Sequence, residues 1–408
     1  MNKILLSHPT GNANVRSVLR GLEKAGILDS FCTSIACYPH SFFDLLAKMS
    51  LFNELKRRKF DSEIKPYTHT FPYKEVGRII SSKLKISSLT RPETGFFSVD
   101  SVYKYSSKSA SQVLAKSRDV GGIYAYEDGA LLLFKQAKEM GVRCIYDLPI
   151  AYWEVGRKLM LEEADRLPDW AITLAGGVKD SQSKLERKTE ELSMADTVVV
   201  ASKFVKDSLP TFANSKKIII SPFGSPKINM TNPLERDNTI PIRVLFAGSM
   251  GQRKGLGDLF SAIRLLNSPH IQLVVMGSLL APLKFYKNQI EFIYEPPRPH
   301  TEVLALMRTC DVFCLPSIVE GRALVMQEAM SEGLPLIITK NTGGEDLILE
   351  GETGFVVPIR SPERIAEKLE WFLNNRNQLP AMSQNAKQHA CNYTWEKYAN
   401  TIISGLLS

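Results

Sequence analysis

Short apolar runs alternate with amphipathic stretches along most of the chain. "KILLS" (3–7) is short and apolar, "HPTGNAN" follows as a turn, and Val15, Val18, Leu19 and Leu22 then fall at helical spacing until Gly26. "FCTSIA" (31–36) predicts a second strand. "GIYAY" (122–126), a helix over "ALLLFKQAKEMG", "RCIYD" (143–147), "DTVVVAS" and "KIIIS" continue the alternation. The pattern restarts with "RVLFAG" (243–248), a helix over 255–266, "IQLVVMG", "IEFIYE" and a helix near 301–308. "DVFCLP", a helix starting near Ala323, "LPLIIT", "TGFVVP" and a helix over 361–375 complete it. Strands that read as unbroken apolar runs between helices predict parallel sheets covered on both faces.

The break between the two series is "PFGSPKINMTNPLERDNTIP" (222–241), which has four prolines. The expected organisation is an α/β chain of two Rossmann-like, doubly wound parallel-sheet domains facing across a cleft. The first spans 1–222, a linker 223–241, the second 242–380, and a helical tail over 381–408 packs back on the first domain. Ligands of such sheets sit outside the carboxyl ends of the strands, so the strand-to-helix corners are where chemistry is sought.

A length of 408 residues suits two domains. No segment approaches the roughly 18 unbroken apolar residues of a membrane span. The apolar run in "MNKILLSHPTG" is too short for a signal-peptide core. A cytoplasmic protein is expected. Six cysteines follow no metal-ligand spacing and read as buried thiols. Net charge is +8, and residues 41–91 hold eleven Lys or Arg against five Asp or Glu, including "KRRK" at 56–59. Apolar residues Phe42, Leu45, Leu46, Met49, Phe52 and Leu55 run through the same stretch at helical spacing. Two readings stand: helices packed on the sheet by an apolar face, or a surface for an anionic inner membrane leaflet. Nothing in the pattern points to nucleic acid.

Four corners carry candidate chemistry. In "SIVEGRALVMQEAMSEGLPLI" (317–337), Glu320 ends the corner, Gly321 admits close approach, and Arg322, Ala323 and Leu324 offer helix-N-terminal amides to an anion. Glu328 lies one turn further on. A ligand with a diphosphate between two hydroxyl-bearing groups, a nucleotide sugar, accounts for carboxylates on both sides. The alternative is a capping Glu320 and a solvated Glu328. "FAGSMGQRKGLGDLF" sets Arg253 and Lys254 beside a second helix start, suited to a diphosphate. In "HPTGNANVR", Gly11 offers backbone approach and Asn12 or Asn14 a cap. "GGEDLILEGETGFVVP" gives a tight corner at Gly343 and Gly344, with Glu345 and Asp346 in the first turn of a helix. Arg298 in "EPPRPHTEV" is a candidate base contact.

Together, "PSIVEGRALVMQEAMSEGLPLII", "GQRKGLGDLFSAI", "TGG…GETGFVV" and "MADTVVVASKFVKDSL" resemble glycosyltransferase family 4, which has the GT-B fold. The resemblance covers 186–375 well and the first half in outline. It implies a retaining hexosyltransferase that needs no metal or other cofactor. Glu320 would bind donor-sugar hydroxyls, Glu328 the ribose, and Arg253 and Lys254 the diphosphate. Two departures stand out. The pattern's Phe-Gly is Arg322-Ala323, adding a charge within reach of a diphosphate, and its arginine after the strand glycine is Ser249.

By the family's division of labour the first half holds the acceptor, a glycan or lipid-linked hydroxyl compound. Glu127 and Asp128 end one strand there and Asp147 the next, where an acid could orient an acceptor hydroxyl. His8 and Asn12 complete the candidate acceptor site, and Asp147 joins Glu320, Arg253 and Lys254 in the catalytic set. Helix capping and a buried turn are the bland alternatives, and His8 and His300 read more simply as structural. A nucleotide-sugar epimerase of the same fold and a non-catalytic binding subunit are the rival functions.

Overall fold

The computed structural model describes residues 3–174, 178–227 and 240–408. Most of the predicted linker therefore lies outside the described residues. The first sheet holds β1 (Lys3–Ser7), β2 (Leu28–Thr33), β3 (Thr68–Thr70), β4 (Val120–Tyr126), β5 (Arg143–Leu148), β6 (Thr197–Val200) and β7 (Lys217–Ile220). Its order is β3-β2-β1-β4-β5-β6-β7, and every pairing is parallel. The second holds β8 (Ile242–Ala247), β9 (Ile271–Met276), β10 (Ile293–Glu295), β11 (Val312–Leu315), β12 (Leu336–Thr339) and β13 (Gly354–Val357). It is also parallel, in the order β10-β9-β8-β11-β12-β13. Both orders reverse direction once, between β1 and β4 and between β8 and β11. These are the doubly wound sheets expected.

Apolar runs became strands because both faces of each sheet are covered: Val244, Leu245, Phe246, Phe313 and Cys314 are fully buried. β2 starts three residues earlier than predicted, since the chain passes from Gly26 directly into the strand and Asp29 and Ser30 mask its apolar character. Five cysteines are buried as expected, but Cys391 is exposed. Among the described residues no helix is long and apolar enough to cross a membrane.

Two segments tie the domains together. The helix Trp395–Leu407 crosses back, and its Tyr398, Ile402, Ile403 and Leu406 enter the core of the first domain. The helix Leu379–Ala390 instead buries Met382, Ala386 and Ala390 in the second-domain core, so the tail divides between the two. Between β5 and β6 the chain leaves the first domain altogether. After the helix Trp153–Arg166, Trp170 sits in the second-domain core, with its ring 5.6 Å from Phe260, 5.2 Å from Phe285 and 5.8 Å from Tyr286. Its indole N–H donates to Gln289 Oε1 at 3.1 Å.

A buried charged cluster fixes the same arm. Glu163, fully buried, accepts from Gln252 Nε2 at 2.8 Å and from Arg166 at 2.7 Å, and it pairs with Arg360. Arg166 also reaches Asp258 through two bonds of 2.8 and 2.9 Å. Burial works to raise the Glu163 carboxyl, and these donors outweigh it, leaving its pKa below the usual carboxylate range.

The basic stretch 41–91 forms an outer layer beside the edge strand β3. Over 41–58 only Phe42–Leu46 is α-helical, and Ser50–Arg58 is a 3₁₀ segment. The apolar residues do not share one face. Phe43, Leu46, Phe52 and Leu55 pack with Val76 and Ile79, whereas Phe42, Leu45 and Met49 are 69%, 54% and 53% exposed. "KRRK" splits likewise: Arg58 is buried on Glu75 at 2.6 Å, Lys59 lies 3.5 Å from Asp44, and Lys56 and Arg57 face solvent.

Trp170→Ala should remove the anchor of the arm and leave a cavity in the second domain. A loss of about 3–5 kcal/mol is expected on denaturant unfolding. A loss under about 1 kcal/mol would mean that the ring only lies against the surface.

Candidate active site

The two loops carrying the strongest motifs leave the two strands that flank the reversal of the second sheet. That is the crevice where doubly wound sheets take ligands. After β8 the chain makes a 3₁₀ turn, Gln252–Lys254, ended by Gly255 at φ 71°. A Cβ on Gly255 would lie 2.0 Å from Pro316 O, so only glycine allows this loop to press on the one after β11. The Ile318 N–H donates to Arg253 O at 2.9 Å across the same contact.

That packing sets Arg253 and Lys254 around Glu320. Glu320 Oε1 is 2.9 Å from Arg253 Nη1 and 2.6 Å from Lys254 Nζ, with the residue only 8% exposed. Burial pushes the carboxyl up, but Lys254 and Arg253 outweigh it, and Glu320 stays ionised with a pKa below its ordinary value. Two cations against one carboxylate leave the cluster with net positive charge. Arg253 Nη1 also donates to Val319 O at 2.9 Å.

Beside the cluster opens a cavity of about 390 Å³, lined by Gly248, Lys254, His300, Glu320, Leu324 and Glu328 among others. The helix Leu324–Ser331 points its N-terminus here. The Met326 N–H of its first turn donates to Ala323 O at 3.0 Å, which leaves the Leu324 and Val325 amides without an intrahelical acceptor. Ala323 does not contribute a free amide, because its N–H donates to Thr342 O at 3.3 Å. Glu328 lies 3.1 Å from His300 Nε2. Burial raises the Glu328 carboxyl, and His300 offsets part of that rise. His300, read from sequence as structural, thus belongs to the cavity; its position at the start of a helix beyond a strand end was the available signal.

Gly321 is where the domains touch. A Cβ on it would lie 1.8 Å from Pro149 O of the first domain, and its carbonyl accepts from Ser202 Oγ at 2.6 Å. Its close approach is therefore to protein rather than to a ligand.

Several other sequence-based expectations are corrected. Arg322 lines the cavity, but its side chain is not a free charge there. Its side chain is fully buried, with Nε on Gln327 at 2.9 Å and Nη1 on Gly343 O at 2.9 Å and Asp346 at 2.6 Å. Arg298 pairs with Glu295 and is not among the residues lining the cavity. Glu345 and Asp346 open only a 3₁₀ turn, Glu345–Leu347. The space beside Gly11 is filled by the Phe60 ring, so Gly11 offers no approach to a ligand.

In the first domain the acids are engaged internally. Asp147 is 3% exposed, accepts from Tyr124 Oη at 2.6 Å, and is pushed up to about 7 by burial. It is therefore not placed to touch an acceptor. Glu127 is 3.4 Å from Lys188 and is raised to about 7 by burial against that cation's pull. Asp128, at φ 70°, pairs with Arg187 at 2.6 Å. His8 is buried and neutral: its Nδ1 accepts from the N–H groups of Gly11 at 2.9 Å and Thr10 at 3.0 Å, and burial first, Arg58 second, lower its pKa to about 3. It shapes the turn. Asn12 is exposed at the start of the helix Ala13–Lys24 and makes no side-chain cap. Sequence reasoning missed Glu191, which is fully buried and accepts from the amides of Asp128, Ala130 and Leu131 at this corner. Among the described residues no three His, Cys, Asp or Glu side chains gather to hold a metal.

The family described as Glycosyl transferases group 1 matches residues 233–389. Over 107 residues the chain is 34% identical to the D-inositol 3-phosphate glycosyltransferase of Corynebacterium urealyticum, covering 26% of this chain and 25% of that protein. Over 239 residues it is 25% identical to the capsular polysaccharide biosynthesis glycosyltransferase CapM of Staphylococcus aureus, covering 52% of this chain and 61% of that one. These matches thus span about a quarter and about three fifths of the relatives' own lengths. The solved structure of Anabaena HepE in complex with UDP and glucose superposes at a TM-score of 0.61 over 100% of both chains, at 15% identity. Residues 233–389 of the second domain thus match the group 1 glycosyl transferases, and the two doubly wound sheets have the GT-B fold.

Proposed function

We propose that this chain is a retaining, family 4 glycosyltransferase that moves a hexose-type sugar from a nucleotide-diphosphate sugar to a hydroxyl of a glycan or lipid-linked acceptor. The setting would be the synthesis of surface polysaccharide or glycolipid, as the name of CapM suggests for that relative. The observation that carries the reading is the buried Glu320 held between Lys254 and Arg253 at the crevice of the second sheet.

In this reading the diphosphate lies against Lys254, Arg253 and the amides at the start of the helix Leu324–Ser331. When the bond from the anomeric carbon to the phosphate oxygen breaks, the electron pair leaves with the diphosphate. The net positive cluster is already in place for that charge, and little reorganisation is needed. Ionised Glu320 accepts hydrogen bonds from donor-sugar hydroxyls, and Glu328, steadied by His300, accepts from the ribose diol. The acceptor approaches from the first domain's side of the cleft.

Glu328→Ala should weaken nucleotide diphosphate binding by about 1–3 kcal/mol through lost ribose hydrogen bonds. Titration of UDP, GDP and ADP by calorimetry checks this, and unchanged affinity for whichever nucleotide binds the wild type would remove Glu328 from the site. Lys254→Ala should lower the turnover number by about 10²–10³-fold, with a smaller effect on donor KM, because the charge it meets develops in the transition state. An equal loss confined to KM would make Lys254 a ground-state contact only. Transfer should also persist in EDTA, since the cluster supplies the countercharge. Loss of activity restored by Mg²⁺ would overturn that assignment.

A further inference from the structure

The layer formed by residues 41–91 has acids and bases that do not match on its surface. Four of its five acids are occupied: Asp44 by Lys59, Glu54 by Arg78, Asp61 by Arg20, and Glu75 by Arg58 and Arg78. Lys48, Lys56, Arg57, Lys83, Lys85 and Arg91 are exposed, and no acid side chain among the described residues is paired with them. Large apolar side chains stand among these cations instead. Phe42, Leu45 and Met49 project beside Lys48, and the end of the helix Tyr73–Lys83 continues into Leu84 and Ile86, which are 64% and 38% exposed on either side of Lys85. The inner face of the same layer is satisfied by its own small core, which includes Leu55 and Ile79. The outward residues are therefore surplus to folding.

Exposed apolar side chains interleaved with unpaired cations fit a partner that is negatively charged at its surface and apolar just beneath. We propose that this layer docks on an anionic lipid bilayer, with the lysines at the headgroups and Phe42, Leu45, Met49, Leu84 and Ile86 entering the interface. Its position suits the task. The layer lies beside β3, the edge strand, whereas the contacts to the second domain come from the corners after β5 and β6. Docking would leave the cleft open. The proposal stands independently of the sugar-transfer reading.

The test is co-sedimentation of the full chain with vesicles of phosphatidylcholine, alone or mixed with phosphatidylglycerol, across a salt series. Wild type should sediment with the mixed vesicles at low salt and not with phosphatidylcholine alone. Each lysine near the surface is worth about fivefold in binding, about 1 kcal/mol. The combined Lys48→Gln, Lys56→Gln, Lys83→Gln and Lys85→Gln variant should thus bind about a hundredfold or more weakly. The Phe42→Ser, Leu45→Ser and Met49→Ser variant should still bind at low salt but come off at lower salt than wild type. Hydrogen exchange on the wild type gives a reading free of variants: vesicles should protect Phe42–Leu46 and the segment following Lys83. Wild type remaining in the supernatant at low salt would overturn the proposal. So would undiminished binding of both variants, protection elsewhere only, or a lipid-independent dimer that the apolar substitutions dissolve.

Discussion

The corner after β11 is held by main chain against main chain. Gly321 meets Pro149 O from the first domain, and a Cβ on Gly343 would lie 1.9 Å from Gly321 O on the other side. Ser202 Oγ donates to that same carbonyl. Contacts of this kind have no rotamers to relax into, so the position of Glu320, one residue earlier, is set by both domains at once. The loop after β8 is set with equal tightness by Gly255 on Pro316. Lys254, Arg253 and Glu320 are thus brought together by backbone packing, and their charges are preorganised.

That arrangement explains how a carboxylate can be buried and remain charged. An isolated buried carboxylate would take up a proton. Glu320 keeps its charge because two cations are fixed beside it. The arm cluster follows the same rule with Glu163 among Arg166, Arg360 and Gln252. Asp147 shows the contrary case: a tyrosine hydroxyl donates to it, no cation pairs with it among the described residues, and burial wins.

The fold was legible because strands covered on both faces appear as plain apolar runs, and the corner motifs fell where those runs end. Elements whose buried faces are not apolar were hidden. The helix Val99–Leu114 buries Ser106, Ser107 and Ser109, small residues that give no apolar period. The helix Trp153–Arg166 docks through Glu163 and Arg166, so its contact face reads as solvated. In the site, residue types at the second-domain corners could be read, but pairings could not. Nothing in one dimension brings His300 to Glu328, or turns Arg322 toward Gln327 and Asp346. In the first domain, acids at strand ends looked like ligand contacts because their partners, Lys188 and Arg187, lie some sixty residues further on.

The return of the helix Trp395–Leu407 has a consequence for how the chain can be made. Its apolar side fills the face of the first sheet beside the helix Ala13–Lys24. On a ribosome, the first two hundred or so residues emerge with that face bare. They cannot close over it until the segment from residue 395 is synthesised. The arm adds a second dependency, since Trp170 has no core to enter until the β8–β11 region has emerged. The amino-terminal half therefore waits, apolar side uncovered, through the making of the other half. Vectorial synthesis keeps that face uncovered for longer than its own length would suggest.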